Sequence, residues 1–173
     1  MNTEEPQVYV VMGVAGCGKT TVGMALAKQL NCPFYDGDDY HSPVSVAKMS
    51  SGIPLDDADR VPWLVRLARL IQDHLDRGIA AVVACSALKK RYRDQLRVSE
   101  QVKFIFLDGD FDLIWQRMQA RPNHYMKPAM LRSQFEALEL PEGEDVIRVP
   151  INNDVNGILV LILDALAELR IGE

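Results

Sequence analysis

Apolar residues along this chain fall into short unbroken runs, separated by longer stretches in which they recur at every third or fourth position. The runs are Val8–Met12 (VYVVM), Pro33–Tyr35 leading into Asp36, Ile79–Cys85 (IAAVVAC), Lys103–Leu107 (KFIFL) and Asp145–Val149 (DVIRV). The third run has no polar alternation, which predicts a strand covered on both faces. Helical spacing joins Val22, Ala25, Leu26 and Leu30 after the first run. It also joins Trp63, Leu64, Leu67, Leu70, Ile71 and Leu75. Leu88, Tyr92 and Leu96 form a third stripe, and Phe111, Ile114, Trp115 and Met118 a fourth. Ile158–Leu163 runs on past Asp164 through Ala165, Leu166 and Leu169, which predicts a buried C-terminal helix. Asp110 and Asp154 are placed to cap the helices that follow them.

Strands alternating with helices predict an α/β fold: a parallel sheet between two helical layers, with right-handed crossovers. Gly13, Asp36, Ser86, Gly109 and Pro150 each follow a strand end, so their loops gather on one sheet edge, where ligands of such sheets bind. Two segments interrupt the alternation. One is 38–62, rich in polar residues, Gly and Pro; the other is Pro122–Pro128, within a stretch of about 121–130. Both are places where a flap or lid grows. Without repeats or a linker, the 173 residues predict one domain.

Composition narrows the classes. A net charge of −5 argues against a nucleic-acid binder, which needs cations in excess. No secretory signal or membrane span is present, and the longest apolar run is too short to cross a bilayer. Cys17, Cys32 and Cys85 have no metal-like spacing, and no His–Cys pattern fits a structural zinc site. An odd, unspaced set of thiols suits a reducing cytoplasm.

The chemistry centres on Gly13–Thr20, GVAGCGKT, which fits the phosphate-loop pattern and lies between a strand and a helix. Backbone N–H groups from Gly13, Val14, Ala15, Gly16, Cys17, Gly18, Lys19, Thr20 and Thr21 are candidates to cradle a nucleotide's phosphates, aided by the helix start. Lys19 would reach the β- and γ-phosphates, and the Thr20 hydroxyl would ligate Mg²⁺. The Cys17 thiol, near a helix start, could have a lowered pKa, although its N–H matters more than its sulfur.

Asp36 and Asp38, two apart after the second strand, would point the same way on an extended segment. One would hold Mg²⁺ and the other would accept a proton from an attacking hydroxyl. Arg60, just ahead of the Trp63 stripe, could pair with a substrate carboxylate. Asp56, Asp57 and Asp59 fit helix capping as well as any ligand role. Ser86 fits an N-cap. Lys89 and Arg93 share a helix face at an end where cations oppose the macrodipole, which points to an anion nearby. Arg117 and Arg121 repeat the spacing beside the lid, where they would cap the helix or swing onto transferring phosphates. His41 and His124 could donate to a polar substrate. His74 and Trp63 read as core, and Asn152 and Asn153 are adenine-side candidates.

Taken together, MGVAGCGKTT at 12–21, FYDGDDYH at 34–41, GIPLDDADRVPWL at 52–64, ACSALKKRYRD at 84–94 and LRSQFEALELP at 131–141 resemble the small phosphate-loop gluconokinases. That resemblance implies a five-stranded parallel sheet of order 2-3-1-4-5, a lid closing over ATP, and often a homodimer. It implies ATP- and Mg²⁺-dependent phosphorylation of D-gluconate at its 6-hydroxyl. By position, Asp36 and Asp38 match the acidic pair, with Asp38 the expected base and Asp36 beside Thr20 at the metal. Arg60, Lys89 and Arg93 match the substrate-side cations, and Arg117 and Arg121 the lid-side arginines. Cys17 stands where the family usually has serine.

Overall fold

The computed structural model describes residues 5–122 and 127–171. Five strands, β1 (Val8–Met12), β2 (Phe34–Asp36), β3 (Ala81–Ala84), β4 (Val102–Asp108) and β5 (Val146–Pro150), pair in parallel in the order β2-β3-β1-β4-β5. The order follows from the crossovers: β1 ends between β3 and β4, so the chain reverses its direction of travel across the sheet there. That point is the switch at which loops splay and a ligand fits.

Helices α1 (Lys19–Leu30), α2 (Pro43–Ser50), α3 (Asp57–Asp76), α4 (Lys90–Leu96), α5 (Phe111–Gln119), α6 (Pro128–Ala137) and α7 (Val155–Ile171) cover both faces. Alternate residues of β1 feed two separate cores. Val11 and Ile105 pack with Leu26, Ile114 and Ile162 from α1, α5 and α7. Val10, Met12, Phe104 and Phe106 pack with Leu67, Ile71 and Leu96 from α3 and α4. The caps at Asp110 and Asp154 form: each carboxylate accepts an N–H three residues on, from Leu113 and Gly157, both at 2.8 Å.

Three elements depart from the pattern read along the chain. Segment 38–62 is not irregular throughout. Ser42 accepts the Ser45 N–H, and Pro43 opens α2 at the position where a missing N–H costs nothing. Helix α3 starts six residues before Trp63, because Asp56 and Asp59 exchange reciprocal bonds in a capping box. Pro62 lies inside that helix rather than ending the loop before it. The third departure is α6, which also opens on a proline.

Ser86 does not cap a helix. Its carbonyl accepts the Gly13 N–H at 3.3 Å, and α4 begins four residues later, at Lys90. The cap is instead borrowed from far along the chain: the Glu139 carboxylate accepts the Lys90 N–H at 2.7 Å. Arg93 is fully buried behind this loop. Its Nε and Nη2 fork onto Glu144 at 2.9 and 2.6 Å, Nη1 holds the carbonyls of Ala87 and Leu88, and Nη2 also holds that of Glu139. Its fork therefore pins the Ser86–Lys89 loop, in which Ala87 is forced to φ 44°.

A guanidinium buried this deeply is tolerable only while its carboxylate is present. Glu144→Ala should lower unfolding free energy by about 3–5 kcal/mol, measured by urea denaturation. The double change Arg93→Met with Glu144→Leu should recover much of that loss. The Arg93 fork also holds the Glu144 carboxyl below its ordinary range. A depressed folded pKa gives stability that is present above the unfolded value and lost as the carboxyl protonates. The wild-type chain should therefore lose this stability on acidification below the usual glutamate range, while the double variant should not show that component.

Candidate active site

Beyond β1 the chain must turn at once into α1 with no side chain in the way. Gly13, Gly16 and Gly18 all adopt positive φ (146°, 77° and 100°). A Cβ on Gly13 would come within 2.7 Å of the Cys17 sulfur, which packs beneath the loop. Gly18 sits at the N-cap of α1 and no side chain caps that helix. Its first-turn N–H groups are thus left for a ligand, at the positive end of the helix dipole. Lys19 donates from Nζ to the Val14 carbonyl at 3.0 Å, folding back along the loop.

The loop opens onto a cavity of about 580 Å³. Ala15, Gly16, Gly18, Lys19, Thr20 and Thr21 form one wall. Gly13, Val14 and Cys17 serve the loop from below instead. The Cys17 N–H donates to the Val14 carbonyl at 3.3 Å, and the side chains of Val14 and Cys17 are in the core. Burial pushes the Cys17 thiol up despite Lys19 beside it, and the Cys85 thiol is pushed up to about 12. Neither is a thiolate at neutral pH, so the lowered Cys17 pKa expected at a helix start does not occur.

The acidic pair lies opposite, but not on an extended segment. Asp36 caps a single 3-10 turn, Gly37–Tyr40, and accepts the Asp38 N–H at 3.0 Å. Gly37 is held so close to β3 that a Cβ would lie 2.5 Å from the Ala84 carbonyl. The turn gives the two carboxylates different environments. Asp36 has one oxygen on the Asp38 N–H and the other 2.9 Å from the Thr20 hydroxyl. Asp38 is 88% exposed, and the His41 ring lies 3.9 Å from its carboxylate. The His41 ring stacks on Trp63 at 4.3 Å, and Trp63 Nε1 donates to the Gly37 carbonyl at 2.7 Å. Trp63 is therefore core and platform at once. Burial, more than any neighbouring charge, lowers the His41 pKa, so the ring is neutral. Its buried Nδ1 has no hydrogen-bond partner among the described residues.

Arg60 and Lys89 also line the cavity. Arg60 donates to the Leu55 carbonyl and lies over the Tyr92 ring. Lys89 sits 3.0 Å from Asp57, which also receives Arg91 and the Tyr92 hydroxyl. The anion predicted near the start of α4 is thus supplied from within the chain, by Asp57 and Glu139. Arg93, expected to face substrate beside Lys89, does not: its fork is occupied and buried. Arg121 lines the cavity whereas Arg117 does not. His124 lies outside the described residues, and Asn152 lines a separate hollow with Arg148 and Phe135.

Asp57, which the sequence offers for capping or for a ligand, takes neither role alone, and Gln134 is not singled out by the sequence at all. Asp57 carries the charge balance described above. Gln134, on the cavity side of α6, accepts the Ala15 N–H at 2.6 Å. A larger groove of about 1080 Å³ lies at the opposite sheet edge, by Gln7, Ala80 and Gln101, where acidic and basic side chains are mixed. Among the described residues no cluster of three or more His, Cys, Asp or Glu side chains could hold a metal. No described helix is long and apolar enough to cross a membrane.

Comparison with known proteins agrees with this geometry. Residues 15–155 match the family model described as shikimate kinase. The thermosensitive gluconokinase of Escherichia coli K12 is 47% identical over 150 residues, covering 85% of this chain and 80% of that protein. The gluconokinase of Arabidopsis thaliana is 37% identical, with 93% of each chain covered. A crystal structure of a gluconokinase from Sinorhizobium meliloti 1021 superposes with a TM-score of 0.89 at 40% identity, covering 96% of this chain and 94% of the other. Shikimate kinase from Aquifex aeolicus, at 18% identity and a TM-score of 0.61, shares the fold. With the uncapped α1, the acidic turn, Arg60 and Lys89 all lining one cavity, the chain belongs to the gluconokinase family, within the wider shikimate-kinase group of phosphate-loop kinases.

Proposed function

We infer that this protein transfers the γ-phosphoryl group of ATP to the 6-hydroxyl of D-gluconate, giving 6-phospho-D-gluconate and ADP. The observation that carries the reading is the single cavity in which uncapped phosphate-loop amides face an unengaged carboxylate, in a chain of this family. The hydroxyl oxygen attacks the γ-phosphorus, the bond to the ADP oxygen breaks in line, and the hydroxyl proton passes to Asp38. A carboxylate is too weak a base to ionise an alcohol beforehand. Asp38 therefore orients the hydroxyl and takes its proton late. Lys19 and the amides of Gly16, Gly18, Lys19, Thr20 and Thr21 stabilise the charge that spreads over the phosphoryl oxygens.

Asp36 and Thr20, two hard oxygen donors 2.9 Å apart, fit Mg²⁺, which would neutralise the phosphate chain. Arg60 and Lys89 supply cations for the gluconate carboxylate. His41, with an unpaired Nδ1, suits a sugar hydroxyl, and His124 is a second polar candidate. Arg121, and Arg117 one turn before it, would balance charge from the lid side, where a lid of about 121–130 would close over a single kinase domain spanning 1–173. A homodimer fits exposed Val61 and Val65, one turn apart on α3. The absence of a spanning helix among the described residues is compatible with a cytoplasmic location.

The matched family model makes shikimate the competing acceptor. Gluconate presents a flexible chain of hydroxyls and one carboxylate, and a site that pairs those hydroxyls rejects analogues lacking them. ADP release measured with gluconate, shikimate, a nucleoside monophosphate and adenylylsulfate should be stimulated chiefly by gluconate; a clear preference for another acceptor would replace the substrate and keep the fold. Lys19→Ala should reduce kcat at least about 100-fold with an unchanged circular dichroism spectrum. Near-normal turnover would remove Lys19 from the phosphate site. Asp38→Asn should cut kcat by roughly 100-fold or more while gluconate affinity changes little. An unaltered rate would take the base role away from Asp38.

A further inference from the structure

One contact in the cavity ties a helix beyond the lid directly to the phosphate loop. Gln134 Oε1 lies 2.6 Å from the Ala15 nitrogen, across 119 residues of chain. The same peptide unit is gripped from its other side, where the Val14 carbonyl accepts Lys19 Nζ at 3.0 Å and the Cys17 N–H at 3.3 Å. A trans peptide sends its carbonyl and its N–H in opposite directions. Lys19 and Gln134 therefore hold one amide plane between them, Lys19 from the helix start and Gln134 from α6.

Neither Ala15 nor Gln134 is fully buried, and both line the cavity. Water could satisfy an N–H in that position, so the fold does not require a protein acceptor there. Ordering a glutamine against it costs rotamer entropy. An oxygen acceptor presented to a phosphate-loop amide has the chemistry of a phosphate oxygen. The uncapped first turn of α1 takes the inner phosphate groups, and the Lys19 ammonium bridges the β- and γ-phosphates. Ala15 lies on the other limb of the loop, in the cavity that Arg60 and Lys89 also line, where a terminal phosphoryl group would meet an acceptor. One N–H cannot serve two acceptors at that distance. A charged phosphoryl oxygen makes the stronger bond, so it displaces a neutral carboxamide.

We propose that Gln134 occupies the place of a γ-phosphoryl oxygen on the Ala15 amide, so that a nucleoside triphosphate evicts it while a diphosphate leaves it seated. Helix α6, which carries Met130, Ser133 and Ala137 along the same wall, thereby registers whether the terminal phosphoryl group is present. The device would release the lid-side helix on ATP binding and re-dock it once ADP remains. The inference rests on reading the cavity as a nucleoside triphosphate site.

The test is calorimetric titration of the full chain, with Mg²⁺, against ADP and against a non-hydrolysable ATP analogue. Gln134→Met keeps the side-chain length and removes the strong acceptor. It should tighten the analogue roughly two- to tenfold, the range set by one ordinary net hydrogen bond, and leave ADP unchanged. Gln134→Glu keeps the acceptor and adds a charge, so it should weaken the analogue more than ADP. In the wild-type chain, hydrogen exchange over 128–137 should quicken with the analogue and not with ADP.

An unchanged ratio of the two affinities in Gln134→Met would overturn the proposal, as would an equal shift of both. Equal exchange of α6 with the two nucleotides in the wild-type chain would overturn it independently, even if a variant failed to fold. Absence of binding by either nucleotide to the wild-type chain would instead overturn the reading of the cavity itself.

Discussion

An α-helix whose first turn is left without a cap is the constraint around which this molecule is arranged. Four N–H groups at a helix start need acceptors, and most helices find them in a nearby Ser, Thr, Asp or Asn. Helices α2, α3, α5 and α7 do so with Ser42, Asp56, Asp110 and Asp154. Helix α1 has Gly18 in the left-handed region and no capping side chain. The donors therefore remain pointed into a cavity, and the fold must keep that end open without collapsing onto it. Placing β1 between β3 and β4 does this, because the neighbouring strands send their loops away on either side.

The remaining charge arrangement holds cations around the cavity on carboxylates of this chain. Lys89, Arg91 and the Tyr92 hydroxyl converge on Asp57, whereas Arg93 is bound behind the loop by Glu144. The two pairings behave differently. Asp57 and Lys89 are partly exposed, so solvent screens their attraction and the pair separates at small cost. Arg93 and Glu144 are shielded from water, so their separation is expensive and the loop they hold is rigid. One cluster is suited to rearrange on binding; the other fixes the frame against which it rearranges.

What could be read from the residues follows the range of the physics involved. Phosphate-loop geometry was legible because glycine at positive φ, a lysine and a hydroxyl are local requirements. Strands β1, β3 and β4 were legible as nearly unbroken apolar runs, and β2 and β5 as shorter or partly alternating ones. Helices α2 and α6 were not. Both begin at a proline, which reads as a loop signal unless its place at the first helical position is recognised. Pro62 reads as a loop signal in the same way: the capping box at Asp56 and Asp59 starts α3 five residues ahead of it. Arg93 was misassigned because a buried ion pair and a ligand-binding cation look alike in sequence, and its partner is 51 residues away. Gln134 carried no signal for the same reason, at greater range.

The division between Asp36 and Asp38 is the clearest instance of tertiary structure deciding chemistry that spacing leaves open. On an extended segment the two carboxylates would be equivalent. The close approach of Gly37 to the Ala84 carbonyl turns the chain there, and the turn consumes one Asp36 oxygen on the Asp38 N–H. The Thr20 hydroxyl takes the other. A carboxylate engaged at both oxygens is held in place. Asp38 has no such ties and stands in solvent beside a neutral histidine. The fold thus separates a fixed anion, suited to holding a cation beside Thr20, from a free one, suited to receiving a proton, and it does so through a backbone contact that tolerates only glycine.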